Sequence, residues 1–319
     1  MNMHDEYEKM STYDGVSTPP HISIVERIKR KVHGKKHIIL FGPPGTGKTR
    51  LISNFIKSHE EQLNINEIEF VQFHPQYSYQ DFIEGYSVSD GKFIYKRGIF
   101  LRFVEKVNEA QKDGTNLMVI DEINRADISS VFGELLTLLD DSNDKEISLP
   151  VSNDTINLKN DFVVVGTMNS ADKNISIMDF ALRRRFDFIF VPPDYYGMLE
   201  WLNRHGFNFD DFNIDQYVEF AQKINSRIIS NPILGKNMTL GQALFVPQKN
   251  QGDAIELTDI CEMISDKIIP QIEAYMGIGN YSGLGEILSP NIRHKIENGL
   301  EVTDDDVVNL INTVVPESA

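Results

Sequence analysis

Residues 36–49 read KHIILFGPPGTGKT: an apolar run, Ile38 to Phe41, opens into a loop with three glycines and two prolines that closes on Lys48-Thr49. A short apolar run bounded by Gly and Pro reads as a buried strand. The segment after it places Leu51, Ile52, Phe55 and Ile56 on one side of a helix spanning about 47–62. Strand, G-x-x-x-x-G-K-[ST] loop and helix in that order make a P-loop. Such a loop wraps a polyphosphate in backbone N–H groups and adds the dipole of the helix start. Gly42, Pro43, Pro44, Gly45, Thr46, Gly47, Lys48 and Thr49, with Arg50 next to them, are therefore the expected nucleotide-binding residues. Lys48 would reach the β and γ phosphates and Thr49 would hold Mg2+.

Working outward, strands and helices alternate. Further strands are expected over 68–73, 116–121, the DFVVVGT run from 161, and 186–191. Two hairpins are expected, one turning at Asp90-Gly91 and one over 146–158. ADISSVFGELLTLLD has the strongest helical period, with Asp127 as its N-cap and apolar residues from Ile128 to Leu139. Alternation of this kind implies an α/β fold with a central, parallel, five-stranded sheet covered on both faces. After Pro192 the pattern is helical throughout. The expected organisation is a flexible tail over 1–20, a nucleotide-binding domain over 21–192 and a smaller all-α lid domain over 193–319.

Two more strand ends carry chemistry. LMVIDE ends in Asp121 and Glu122, and carboxylates at the end of a buried strand cost burial energy unless they serve a ligand. Asp121 suits the metal shell; Glu122 suits orienting and deprotonating an attacking water. The next apolar strand ends in GTMNSADK, residues 166–173. If it lies beside the P-loop strand, the Asn169 amide points at the γ-phosphate and the water held by Glu122. Asp172 and Lys173 then anchor the loop that aims it, or else form a solvated ion pair. FALRRRF places Arg183, Arg184 and Arg185 at a helix end. In a ring this end faces the neighbouring copy's nucleotide, where Arg184, or next Arg185, can act in trans.

Composition narrows the partners. The chain of 319 residues carries a formal net charge of -16, which repels a phosphate backbone at long range. Its one cysteine, Cys261, permits no intrachain disulfide, and the acidic start MNMHDEYEKM does not resemble an export signal. No apolar run approaches the roughly 20 residues needed to span a bilayer. A cytoplasmic location is expected.

In order and spacing, GPPGTGKT, VQFHPQYSYQDFIEGY, IDEINRADISSVFGEL, MNSADK and DFALRRRF resemble the McrB family of AAA+ nucleoside triphosphatases. The resemblance covers roughly residues 22–290, including LGKNMTLGQALF. It implies a hexameric ring, GTP as preferred nucleotide, and an McrC-type partner that stimulates hydrolysis and carries the nuclease. DNA would be met through that partner or a separate reader subunit. Three departures stand out. About 20 residues occupy the place of the family's N-terminal reader domain. Lys173 replaces the arginine of the family's M-N-x-x-D-R loop. Gly241, Gln242, Ala243, Leu244 and Phe245 stand where the family commonly has Gly-His-Ser-Tyr-Phe. With those polar groups lost, only a moderate preference for GTP is expected, with ATP also used. The alternatives are an ATP-dependent MoxR-like remodelling protein without a nuclease and a non-hydrolysing scaffold, the latter disfavoured by the intact Lys48, Asp121, Glu122 and Asn169.

Overall fold

The structure, a computed structural model, describes residues 23–110, 114–140, 146–172, 180–206, 211–249, 254–277 and 281–316. The P-loop strand β1 (Ile38–Gly42) sits inside a five-stranded parallel sheet with β2 (Ile65–Gln72), β5 (Thr115–Asp121), β8 (Val163–Asn169) and β9 (Asp187–Phe190), ordered β2-β5-β8-β1-β9. The sheet is parallel because each connection carries helical or hairpin material across a face, as the alternating sequence requires. Its central strands β1, β5 and β8 are buried on both sides. Ile38, Leu40, Leu117, Val119, Val163 and Val165 face one core, whereas Ile39, Met118, Ile120 and Val164 face the other. This is the two-residue period of a strand with two apolar faces.

Two small hairpins project from this unit. β3 (Glu84–Ser89) and β4 (Lys92–Arg97) turn at Asp90-Gly91, and β6 (Glu146–Ser148) pairs with β7 (Thr155–Asn157). Glu84 joins the base of the first to the turn of the second. Its buried carboxylate accepts from the Tyr95 hydroxyl and from the backbone N–H groups of Val151 and Ser152.

One helix departs from expectation. The run from Ile128 is α-helical only to Phe132 and continues as a 3-10 helix over Gly133–Leu139. Gly133 adopts φ 49°, a left-handed value that breaks the α-helix, and a Cβ there would meet the Tyr79 ring at 3.0 Å. The apolar period was right about the buried face and wrong about the hydrogen-bond ladder. Asp127 does cap the start, accepting from Ser130 N.

From Tyr195 onward all elements are helical, including Ile214–Ser230, Leu257–Met263, Ile269–Met276 and Asp304–Val314. They share their own apolar core around Leu202, Tyr217, Phe220, Phe245, Ile268 and Ile311, with Cys261 buried inside it. Among the described residues no helix is long and apolar enough to cross a membrane. The expected tail over 1–20 lies outside the described residues.

Candidate functional site

Three strand ends meet at one edge of the sheet. Gly42 of β1 pairs in register with Asn169 of β8, and β5 ends one residue before Glu122. Parallel strands bring their C-terminal ends to the same edge, so the order β5-β8-β1 sets the acidic pair, the amide and the P-loop side by side.

Lys48 lies at the centre. Its buried ammonium donates to Gly42 O at 3.0 Å, Pro43 O at 2.9 Å and Asn169 Oδ1 at 2.8 Å. Three donors meet three acceptors, so a phosphate must displace at least one of them. Burial pushes the Lys48 ammonium down to about 8, against the opposing pull of Glu122, Asp121 and Asp172. The Asn169 amide uses both ends: Oδ1 accepts from Lys48 Nζ, and Nδ2 donates to Glu122 Oε1 at 2.7 Å. One side chain thus bridges the phosphate-binding lysine and the carboxylate that suits a base.

Glu122 is held in an unusual backbone conformation, φ 53°. Non-glycine residues in this region are uncommon and gather at sites where surrounding structure over-determines them. The hold is visible: Glu122 N donates to Thr167 Oγ1 at 3.0 Å. Burial raises its carboxyl above the ordinary range, assisted by Asp121 and opposed by Arg125. Arg125 Nε lies 3.5 Å from Glu122 Oε2, within ion-pair reach but outside hydrogen-bond geometry, so that buried oxygen has no donor.

Asp121 Oδ1 accepts from Thr49 Oγ1 at 2.7 Å and from Thr167 Oγ1 at 2.5 Å. Two hydroxyls and a carboxylate form a hard oxygen set, which fits Mg2+ completed by phosphate oxygens and water. Among the described residues no group of three or more His, Cys, Asp or Glu could hold a metal alone. The fit is therefore to a metal that arrives with a nucleotide.

Asp172 accepts from Asn124 Nδ2 at 3.3 Å. Lys173, its expected ion-pair partner, lies outside the described residues. Around Asp172 more polar atoms lack partners. Asn124 Oδ1 is buried without a donor, and so is the hydroxyl of Tyr275 from the helical unit. Burial, then the charge of Asp172, raises the Tyr275 phenol. Orphaned atoms of this kind are uncommon in native structures and fit a site built for a polar ligand.

The segment Gly241–Phe245 lies directly on the P-loop. Gly241 N donates to Pro44 O and Ala243 N to Gly45 O, both at 3.0 Å. Gln242 Nε2 donates to Thr46 O at 3.1 Å, while Gln242 Oε1 accepts from Asp194 N. A Cβ on Gly241 would stand 2.1 Å from Gly45 C, so only glycine permits this approach. Ser170 adds a second tie, donating to Asn237 O at 2.6 Å.

The arginines separate. Arg185 forks onto Asp140, with Nε at 2.9 Å from Oδ1 and Nη2 at 2.7 Å from Oδ2, and its side chain is 6% exposed. Arg183, Arg184 and Arg50 are exposed. Thr167, Asn124 and Tyr275 escaped sequence reading. Only Thr167 left a signal, since it stands two residues before Asn169 on the same strand face.

Residues 37–186 match the AAA domain (dynein-related subfamily) family. The chain is 33% identical over 266 residues to the type IV methyl-directed restriction enzyme EcoKMcrB subunit of Escherichia coli strain K12, covering 79% of this chain and 56% of that protein. It is 28% identical over 222 residues to the type II restriction enzyme BsuMI component YdiS of Bacillus subtilis strain 168, covering 56% of this chain and 62% of that one. The chain thus spans under two thirds of the length of either relative. Among solved structures, NtrX from Brucella abortus aligns over 97% of this chain and 72% of that one, at 12% identity and a TM-score of 0.42, a likeness too weak to bear on function.

Proposed function

We propose that this chain, which belongs to the McrB-type AAA+ proteins, is a magnesium-dependent nucleoside triphosphatase that works as a ring of copies. In this reading the ring drives or gates an McrC-like nuclease partner in the restriction of foreign or modified DNA. The observation that carries the enzymatic half is the bridge Lys48–Asn169–Glu122. A scaffold that only binds nucleotide needs the lysine but has no use for an amide that ties it to a desolvated carboxylate.

The residues divide the work as follows. The P-loop and Lys48 bind and orient the triphosphate. Lys48 exchanges backbone carbonyls for phosphate oxygens. Thr49 and Asp121 would hold Mg2+, which would supply charge neutralisation for the phosphates. Glu122 accepts a proton from the attacking water, and its raised pKa brings it nearer to the working pH. Asn169 positions that water against the γ-phosphate. Asp172, through Asn124, steadies the start of the loop beyond Asn169. Arg184, exposed and at the sheet's opposite edge, would neutralise charge on a neighbouring copy's nucleotide.

Both GTP and ATP are expected as substrates, with a moderate preference for GTP. Gln242, the polar side chain of the clamp segment, is already engaged by Thr46 and Asp194. The test is initial-rate hydrolysis of GTP and ATP, with Mg2+ and with chelator, against Lys48→Ala as the blank. Turnover that requires Mg2+ and Lys48 supports the reading; none with either nucleotide, at concentrations where copies associate, overturns it.

A further inference from the structure

The edge of the sheet opposite the P-loop holds a cavity of about 660 Å³ whose wall is cationic. Lys31 reaches it from the last turn of the helix Ile24–His33, Lys35 and Lys36 from the turn between that helix and β1, and Arg184 and Arg185 from the segment before β9. Five cations against two carboxylates, Asp140 and Asp187, are an unexpected excess in a chain of net charge -16. We infer that this cavity is a polyphosphate-binding site, in which the lysines of the helix–strand turn form one half and Arg184 the other. The inference rests on the ring reading only for the source of the ligand.

The local structure is arranged for an anion. Helix C-termini ordinarily present carbonyl oxygens, which repel one. Here Gly34 N, Lys35 N and Lys36 N donate back to Arg30, Val32 and Lys31 carbonyls, so the negative end is capped. Lys35 adopts φ 55°, a strained value for a lysine, and with it the turn carries Lys36 past the helix end. His37 contributes no charge in this arrangement, because its Nδ1 accepts from Val164 N. Lys31 pairs with Asp187 and Lys35 with Asp161, both at 2.7 Å, but every partner is more than a third exposed. Solvated pairs of this kind hold their partners weakly, so an incoming polyanion can compete for both lysines. Arg185 is committed to Asp140 and serves as a rigid floor. Arg184 keeps its guanidinium exposed for a bidentate contact.

Tripolyphosphate is the probe. In the full chain carrying Lys48→Ala, which disables the P-loop, calorimetric titration should still find one site, weakened by added salt. Lys36→Glu in that background should weaken it by about tenfold or more, the worth of a charged hydrogen bond. Absence of residual binding, or binding indifferent to Lys36→Glu, overturns the inference. The same Lys36→Glu with Lys48 intact identifies the source. Affinity for a fluorescent nucleotide at the P-loop should be unchanged. Turnover that falls several-fold assigns the polyphosphate to a neighbour's nucleotide; unchanged turnover beside altered tripolyphosphate binding assigns it to a free one. A wild-type chain without any turnover would sink the proposed hydrolysis and leave the titration able to succeed or fail by itself.

Discussion

The two edges of the central sheet make opposite use of charge. At the edge of the P-loop, Lys48, Asp121, Glu122 and Asn169 are linked at 2.5–3.0 Å, directly or through Thr49, Thr167 and backbone groups, with Glu122 Oε2 left without a donor. At the other edge, Lys31, Lys35 and Lys36 line one cavity with Arg184, and the ion pairs of Lys31 and Lys35 are exposed. The first cluster is tied together within one chain, with its few orphaned polar atoms left for a ligand. The second presents positive charge outward. Under the proposed ring reading, one edge would supply part of the reaction and the opposite edge of another copy the remainder.

The largest effect that could break this contrast belongs to Arg184. Arg184→Ala should lower turnover roughly 10³-fold or more, the worth of a trans arginine, while nucleotide binding at the P-loop stays intact. Arg185→Ala should behave differently, chiefly losing about 2 kcal/mol of stability through its fork onto Asp140. Thermal melts of the two variants beside their rates distinguish the roles. If Arg185→Ala melts like the wild type while Arg184→Ala keeps its rate, the assignment is reversed.

Next in size, Glu122→Gln should keep nucleotide affinity and lose about 10²- to 10⁴-fold in turnover, because the phosphate contacts remain and the base is gone. Near-normal turnover would remove Glu122 from the role of base.

The pH dependence of binding sharpens the contrast further. Burial sets the Lys48 ammonium at about 8 in the free chain, and a bound phosphate would raise it. Affinity for the triphosphate should then be flat below pH 8. Above it, affinity should fall by up to about tenfold per unit as the free lysine loses its proton, until the bound value is reached. In the folded free chain the depressed value disfavours the ammonium, so this group's cost to stability is greatest below 8 and disappears as pH rises toward its ordinary value of 10.5. Equilibrium binding of a fluorescent nucleotide from pH 7 to 9.5 measures the first effect. A flat profile across that range would show that Lys48 is not the titrating contact.

The smallest effect is expected at Thr167. Thr167→Val removes the donor to Asp121 and the acceptor for Glu122 N, about 1–2 kcal/mol together. Turnover should drop about tenfold as Glu122 relaxes from its strained φ.

Sequence revealed the P-loop edge because its contacts are local or follow from strand alternation. Gly42 to Thr49 form one motif, and Asp121, Glu122 and Asn169 each end an apolar run. The clamp of Gly241 to Ala243 on the P-loop was legible only as a departure from the family's residues, since Gln242 and Thr46 are 196 residues apart and no local pattern registers that distance. Gly133 was hidden for a different reason. Apolar spacing reports which face is buried, and an α and a 3-10 turn bury nearly the same face over so few residues. Arg185 read like Arg184 in the sequence because its partner, Asp140, lies 45 residues upstream.

The most direct test of the division between edges is a mixing experiment. Glu122→Gln is deficient at one edge and Arg184→Ala at the other, so each alone should be nearly inactive. Mixed in equal amounts at concentrations where copies associate, they form junctions that pair an intact P-loop edge with a neighbour's intact Arg184. Turnover should then rise well above the sum of the separate rates. A mixture no more active than that sum, with both variants shown to associate and bind nucleotide, would contradict the division.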